Sequence, residues 1–121
     1  MKILKILIVE DDPAIPNFIK GVIKRELVAD FLTATTLTQF NNHLNNSNFI
    51  DVIVLDGMLG NDNTLEATRR AHELYPSCLL IAISSNLQPE QLKAGCMICI
   101  DKATELSQIG LVIKHALGLK D

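Results

Sequence analysis

Two short apolar runs end in carboxylates. Ile6-Leu7-Ile8-Val9 leads into Glu10-Asp11-Asp12-Pro13, and Val52-Ile53-Val54-Leu55 leads into Asp56-Gly57. Two further runs, Leu79 to Ile83 and Met97 to Ile100, end in Ser84 and in Asp101-Lys102. Brought together, Glu10, Asp11 and Asp56 make a cluster of like charges that raise one another's pKa. A divalent cation relieves that repulsion, and a small all-oxygen donor set suits Mg²⁺ with several retained waters. Lys102 brings a positive charge and Ser84 a hydroxyl donor. A carboxylate, a cation, an ammonium and a hydroxyl suit phosphoryl transfer, where catalysis is largely positioning and charge offset. Asp56 is the candidate nucleophile, and its product is an aspartyl phosphate.

The elements that must carry these residues follow from patterning. Continuous apolar runs as short and β-branched as Ile6–Val9 and Val52–Leu55 are the pattern of strands buried on both faces, as in a parallel sheet. Between them, Ile15, Phe18, Ile19, Val22, Ile23 and Leu27 recur at helical spacing. Asp12 suits the cap of that helix, and Pro13 and Pro16 fit its first turn. Phe31 to Thr35 reads as an outer strand, and Leu37, Phe40 and Leu44 as a short helix, with Asn41-Asn42 and Asn45-Asn46-Ser47-Asn48 marking its frayed end and a loop. Gly60-Asn61-Asp62-Asn63 is a turn-forming cluster. Leu65, Thr68, Ala71 and Leu74 or Tyr75 predict a third helix that stops near Pro76. Pro89 to Ala94 leaves room for little more than one turn, and Leu106, Ile109, Ile113 and Ala116-Leu117 predict the last helix.

That order is β-α five times over, which implies a parallel sheet covered by helices on both faces. The expected architecture is α/β, a flavodoxin-like (βα)5 doubly wound parallel sheet with strand order 2-1-3-4-5 and a shortened fourth helix. Parallel strands put all four chemically pointed ends on one edge, where ligands of such sheets bind.

Length and composition agree. The 121 residues suit a single domain spanning 1–121, and 48% apolar content suffices for a core. Low aromatic content, a formal charge of −3 and the lack of a Lys/Arg cluster disfavour nucleic-acid binding. Three cysteines without framework spacing suggest reduced thiols and a cytoplasmic location, and no apolar run has the length of a membrane span.

Four pieces in order, Ile8-Val9-Glu10-Asp11-Asp12-Pro13, Asp51-Val52-Ile53-Val54-Leu55-Asp56-Gly57-Met58, Ala82-Ile83-Ser84-Ser85 and Asp101-Lys102, resemble the receiver domain of bacterial two-component response regulators. The resemblance spans essentially the whole chain and is closest to stand-alone, chemotaxis-regulator-like receivers. It implies that Asp56 is the phosphoacceptor, that Asp11 binds Mg²⁺ directly and Glu10 through water, and that the Met58 carbonyl is a further ligand. It implies that Ser84 meets a phosphoryl oxygen and that Lys102 pairs with the phosphate. The implied donor is a sensor histidine kinase or histidine phosphotransfer protein, and the implied output is a separate effector protein. The chain would carry no DNA-binding domain, have no membrane role, and catalyse only its own phosphorylation and dephosphorylation.

The sequence departs from that family at four places. Cys99 stands three residues before Lys102, where Tyr or Phe is usual, so the customary aromatic lever is missing. Only 18 positions separate Ser84 from Lys102, about one helical turn fewer than the family has. Ala103 replaces the usual proline after Lys102; a cis bond there would cost ~3 kcal/mol, so a trans or rearranged loop is expected. Gly60 replaces a customary proline and Thr64 a customary glycine, which predicts a looser loop beside Asp56.

Other patterns carry less. Cys96-Met97-Ile98-Cys99 has redox or zinc spacing, but residues three apart on a strand face opposite sides, which favours core cysteines. His43, His72 and His115 read as surface residues. No Gly-x-Ser-x-Gly elbow surrounds Ser84, which disfavours a serine hydrolase. Asp56-Gly57-Met58 lacks the second carboxylate of a phosphohydrolase, and the acidic first loop opposes nucleotide phosphate binding. The chief rival is a receiver-like binding module whose output does not depend on phosphorylation.

Overall fold

The computed structural model describes residues 2–84 and 89–119. Five parallel strands form the central sheet: β1 (Leu4–Val9), β2 (Ala29–Ala34), β3 (Val52–Asp56), β6 (Leu79–Ser84) and β7 (Ile98–Asp101), in the spatial order β2-β1-β3-β6-β7. Counting only these five, the order is the expected 2-1-3-4-5. Helices α1 (Ala14–Lys24), α2 (Leu37–Asn46), α3 (Leu65–Leu74), α4 (Pro89–Lys93) and α5 (Ile109–Ala116) complete the crossovers, and a 3₁₀ turn at Leu106–Gln108 leads into α5. Helix α4 is a single short turn, as the spacing predicts. Ser85 and Asn86 lie outside the described residues.

The continuous apolar runs are explained by two cores. Side chains alternate across each strand, so Ile6, Ile8, Val52, Val54, Ile81 and Ile83 face one layer with α1 and α5. Leu7, Val9, Ile53, Leu55, Leu80 and Ala82 face the other with α2 and α3. Both faces are covered by apolar side chains, and the polar residues of these strands, Lys5, Asp56 and Ser84, are each only partly buried. Helices α1 and α5 pack closely enough that a Cβ on Gly110 would lie 3.0 Å from the Val22 carbonyl oxygen. The α2 C-terminus is fastened by Tyr75, whose hydroxyl lies 2.5 Å from the Leu44 oxygen and 2.7 Å from the Ser47 oxygen.

Several expectations need correction. Phe18 is 47% exposed and Leu74 48%, so the helical stripes are narrower than the apolar spacing suggests, and Tyr75 is the inward residue after α3. Helix α2 continues through Asn46 and does not fray at Asn41-Asn42. The turn expected at Gly60–Asn63 is present, and it closes a small antiparallel hairpin, β4 (Met58–Leu59) with β5 (Asp62–Asn63), with φ +60° at Gly60. Cys96 and Cys99 both pack on the α2/α3 side, because Cys96 precedes β7 and strand alternation does not apply to it. Met97 lies before the strand and is 76% exposed. The histidine expectation holds for His72 and His115, whereas His43 is half-buried with Nε2 2.9 Å from the Thr33 carbonyl oxygen.

Candidate functional site

The carboxyl ends of β1, β3, β6 and β7 bring the sequence-predicted residues to one edge. β1 and β3 are neighbours in register, with Val9 opposite Leu55, so Glu10 and Asp11 emerge beside Asp56. β6 and β7 pair with Ser84 opposite Asp101, and the Lys102 amide donates to the Ser84 carbonyl oxygen at 2.9 Å. Asp12 accepts the Ala14 amide at 3.0 Å, so it fastens the start of α1 and is spent on that role.

Oxygens of Glu10, Asp11 and Asp56 lie within 4.8 Å of one another. Lys102 reaches over them: its Nζ is 2.6 Å from Glu10 Oε2 and 2.7 Å from Asp56 Oδ2. Glu10 is fully buried, and its Oε2 is held by that ion pair without a hydrogen bond of good geometry. Its other oxygen accepts the Asp12 amide at 3.0 Å. Asp56 Oδ1 accepts the Met58 amide at 3.2 Å.

The environment sets Glu10 and Asp11 apart. Burial pushes Glu10 above its ordinary pKa, with the charge of Asp56 adding to it and Lys102 only partly opposing it. Asp11 goes the other way, held low chiefly by the Gly60 amide, so mutual repulsion does not raise Asp11 as the sequence suggested. Burial pulls Lys102 down, but its bonds to Asp56 and Glu10 together raise it, so it stays charged.

Four residues shape the site through contacts that the sequence does not announce. Thr64 is fully buried; its hydroxyl donates to the Asp56 carbonyl oxygen at 2.7 Å and its amide to the Gly57 oxygen at 3.0 Å. The Gly60 amide donates to Asp11 Oδ2 at 2.8 Å. The Thr64 hydroxyl bond and the Gly60 amide bond tie down the loop beside Asp56, so the two departures tighten it where a looser loop was expected. On the other side, Asp101 Oδ1 accepts the amides of Ala103 and Thr104, and Glu105 Oε1 accepts the Asp101 amide. The Lys102–Ala103 bond is trans, as the missing proline implies.

An oxygen-only set of three close carboxylates, one with a buried oxygen held by an ion pair alone, fits a small divalent cation. Asp51, which adjoins the β3 motif in sequence, is not part of the site. It sits at the opposite edge, where its oxygens take Lys2 Nζ at 2.9 Å and the Lys5 amide at 2.8 Å. No helix among the described residues is long and apolar enough to cross a membrane.

The chain is similar to a CheY-like response regulator receiver domain protein from Methanospirillum hungatei. The two share 26% identity over 97% of this chain and 95% of that one, with a TM-score of 0.84. It shares the fold of the response regulator DrrB from Thermotoga maritima, at 21% identity and a TM-score of 0.80, covering 97% of this chain and 54% of that longer one. A response regulator from Burkholderia pseudomallei, with a phosphorylated aspartic acid, calcium ion and citrate, has a TM-score of 0.75 at 16% identity, over 95% of this chain and 74% of that one. Among curated proteins no sequence matches. The response regulator receiver domain model matches residues 6–114, nearly the whole described fold, and the chain belongs to that family.

Proposed function

We propose that this receiver domain accepts a phosphoryl group on Asp56 from a phosphohistidine and that the phosphorylated form signals by changing a contact with another protein. The observation that carries the reading is Lys102, which bridges Asp56 and buried Glu10 at 2.7 and 2.6 Å within the carboxylate cluster. An ammonium held there is positioned to pair with a phosphoryl oxygen once Asp56 carries an acyl phosphate. Glu10, Asp11, Asp56 and the Met58 carbonyl would hold Mg²⁺, which when bound offsets the charge of the phosphoryl oxygens. The Burkholderia relative, with its phosphorylated aspartic acid and calcium ion, supports both parts by analogy.

In the step itself an Asp56 carboxylate oxygen attacks phosphorus while the phosphorus–nitrogen bond of the donor breaks, and the donor imidazole keeps the electron pair. Ser84, at the end of β6, supplies a hydroxyl to the transferred group. The chain catalyses its own phosphorylation and later hydrolysis and no reaction on a released substrate. Its partners are a sensor histidine kinase or histidine phosphotransfer protein and a separate effector.

The test is intact mass after incubation with acetyl phosphate and Mg²⁺, and separately with a phosphorylated histidine donor domain. One added phosphoryl group, absent in Asp56→Asn and in EDTA, is the expected result. No addition from either donor would leave a binding module as the better reading.

A further inference from the structure

The hairpin β4–β5, which follows the acceptor strand, touches both halves of the acidic site. On one side the Thr64 hydroxyl, just after the hairpin, binds the Asp56 carbonyl oxygen at 2.7 Å. On the other, the hairpin's turn sends the Gly60 amide to Asp11 Oδ2 at 2.8 Å, across 49 residues of sequence. The turn needs φ +60° at position 60, which glycine adopts without strain and proline cannot. Proline would also remove the donor. A chain with proline at this position therefore cannot make the bond that this chain makes.

We propose that the Gly60 amide is a positioning group for the cation: it fixes the Asp11 carboxylate so that its second oxygen is presented to the cluster with Glu10 and Asp56. The inference rests on the metal-binding reading given above. Hydrogen bonds from outside the coordination sphere fix the orientation of ligating carboxylates and commonly change metal affinity by about 10–100-fold. Asp11 needs such a bond more than its neighbours do. Glu10 is buried and clamped by Lys102, and Asp56 is held by the Met58 amide and Lys102, whereas Asp11 is exposed. Without Gly60 its side chain would sample rotamers that point away from the site.

The bond can be deleted one atom at a time. Replacing Gly60 by glycolate converts its amide to an ester, removing the donor while keeping the carbonyl and the freedom to reach φ +60°. The chain can be assembled by ligation at the Ser77–Cys78 junction. Gly60→Ala is the partner variant: it keeps the amide, a Cβ there meets nothing within 4 Å, and only the positive φ is strained. Mg²⁺ affinity is measured by calorimetry and melting temperature by circular dichroism in EDTA. The expected result is a split. The ester weakens Mg²⁺ binding by about tenfold, while Gly60→Ala lowers the melting temperature but keeps the affinity within about twofold. Wild-type affinity in the ester, or affinity losses in both variants that follow the loss of stability, would overturn the positioning role. Absence of Mg²⁺ binding in the wild type would overturn the metal reading and this inference with it, and is distinguishable because no variant enters into it.

Discussion

The Ala103 amide donates to Asp101 Oδ1 at 2.8 Å, and the bond exists because position 103 is not proline. The same carboxylate oxygen accepts the Thr104 amide at 3.2 Å, and the Asp101 amide is taken in turn by Glu105 Oε1 at 2.9 Å. Lys102 projects from the middle of this local network. Its loop is thus held by side-chain bonds in the trans form. Asp101→Ala removes the acceptor for two amides that can turn partly to water, so the expected cost is about 1 kcal/mol. Urea unfolding in EDTA should show a lower midpoint with an unchanged slope, and phosphorylation by acetyl phosphate should slow because Lys102 is less well placed. Asp101→Asn, which keeps an acceptor oxygen, should recover most of both. Equal losses in the two variants would mean that the charge, not the loop, is what matters.

Thr64 gives a second case in which the family's usual residue would harm this chain. Its φ of −92° asks for no glycine, and its fully buried side chain bonds the Asp56 carbonyl oxygen. Thr64→Gly should destabilise by about 2–3 kcal/mol through the lost bond, the cavity and the freer backbone. Thr64→Ser keeps the hydroxyl and should cost about 1 kcal/mol, from the missing methyl. Chemical denaturation of the pair separates the two contributions. A Thr64→Gly midpoint equal to that of the wild type would show that the hydroxyl contributes nothing.

Why the sequence reveals Asp56 but not Thr64 has a physical answer. Asp56, Glu10 and Lys102 are charged residues at the ends of apolar runs, and strand alternation with parallel topology carries them to one edge without knowledge of any contact. Strand order and the short α4 are legible for the same reason, since they depend on run lengths and crossover rules. Thr64 and Gly60 act through one hydroxyl and one amide, groups that every threonine and glycine carries. Their meaning comes from a two-residue turn whose hairpin pairs only Met58 with Asn63 and Leu59 with Asp62, too short to leave a periodic signal. Cys96 fails for a related reason: alternation is a rule for residues inside a strand, and β7 begins two residues later. Phe18 and Leu74 show that helical spacing finds the inward stripe but not its edges.

The cysteines give a prediction with a definite pH sign. Burial pushes Cys78 up from 9.0 to about 12, with nearby Asp51 adding to it, and burial with neighbouring Cys99 does the same for Cys96. At pH 8 their thiolate fractions are roughly a thousandfold below that of an ordinary thiol. Dithionitrobenzoate should therefore modify Cys99 first in the native protein, slowly because burial raises it as well, and all three only after unfolding. The folded pKa values lie above the unfolded ones, so the stability these thiols contribute is intact below pH 9 and is lost as pH rises toward 12. Cys78→Ala should flatten that alkaline loss in melting curves. Rapid native labelling of Cys78 or Cys96 would contradict the burial.

Lys102 has a structural task that its chemical role hides. Its Nζ is 2.6 Å from a fully buried Glu10 oxygen that has no other partner and is shielded from solvent. Removing one partner of a buried ion pair usually costs about 3–5 kcal/mol, because the other charge is left uncompensated. Two things reduce that here. Lys102 and Asp56 are each 18% exposed, and burial already raises the pKa of Glu10, which lowers the cost of its taking up a proton. Lys102→Ala should therefore lose about 2–3 kcal/mol in EDTA. Mg²⁺ should then return more stability to Lys102→Ala than it adds to the wild type, since a bound cation supplies the missing counter-charge to Asp56 and Glu10. Lys102→Arg keeps the charge and should fall between them. An unchanged denaturation midpoint in Lys102→Ala would mean that Glu10 is neutral in the metal-free protein, and the ammonium would then be held in place for the phosphoryl group alone.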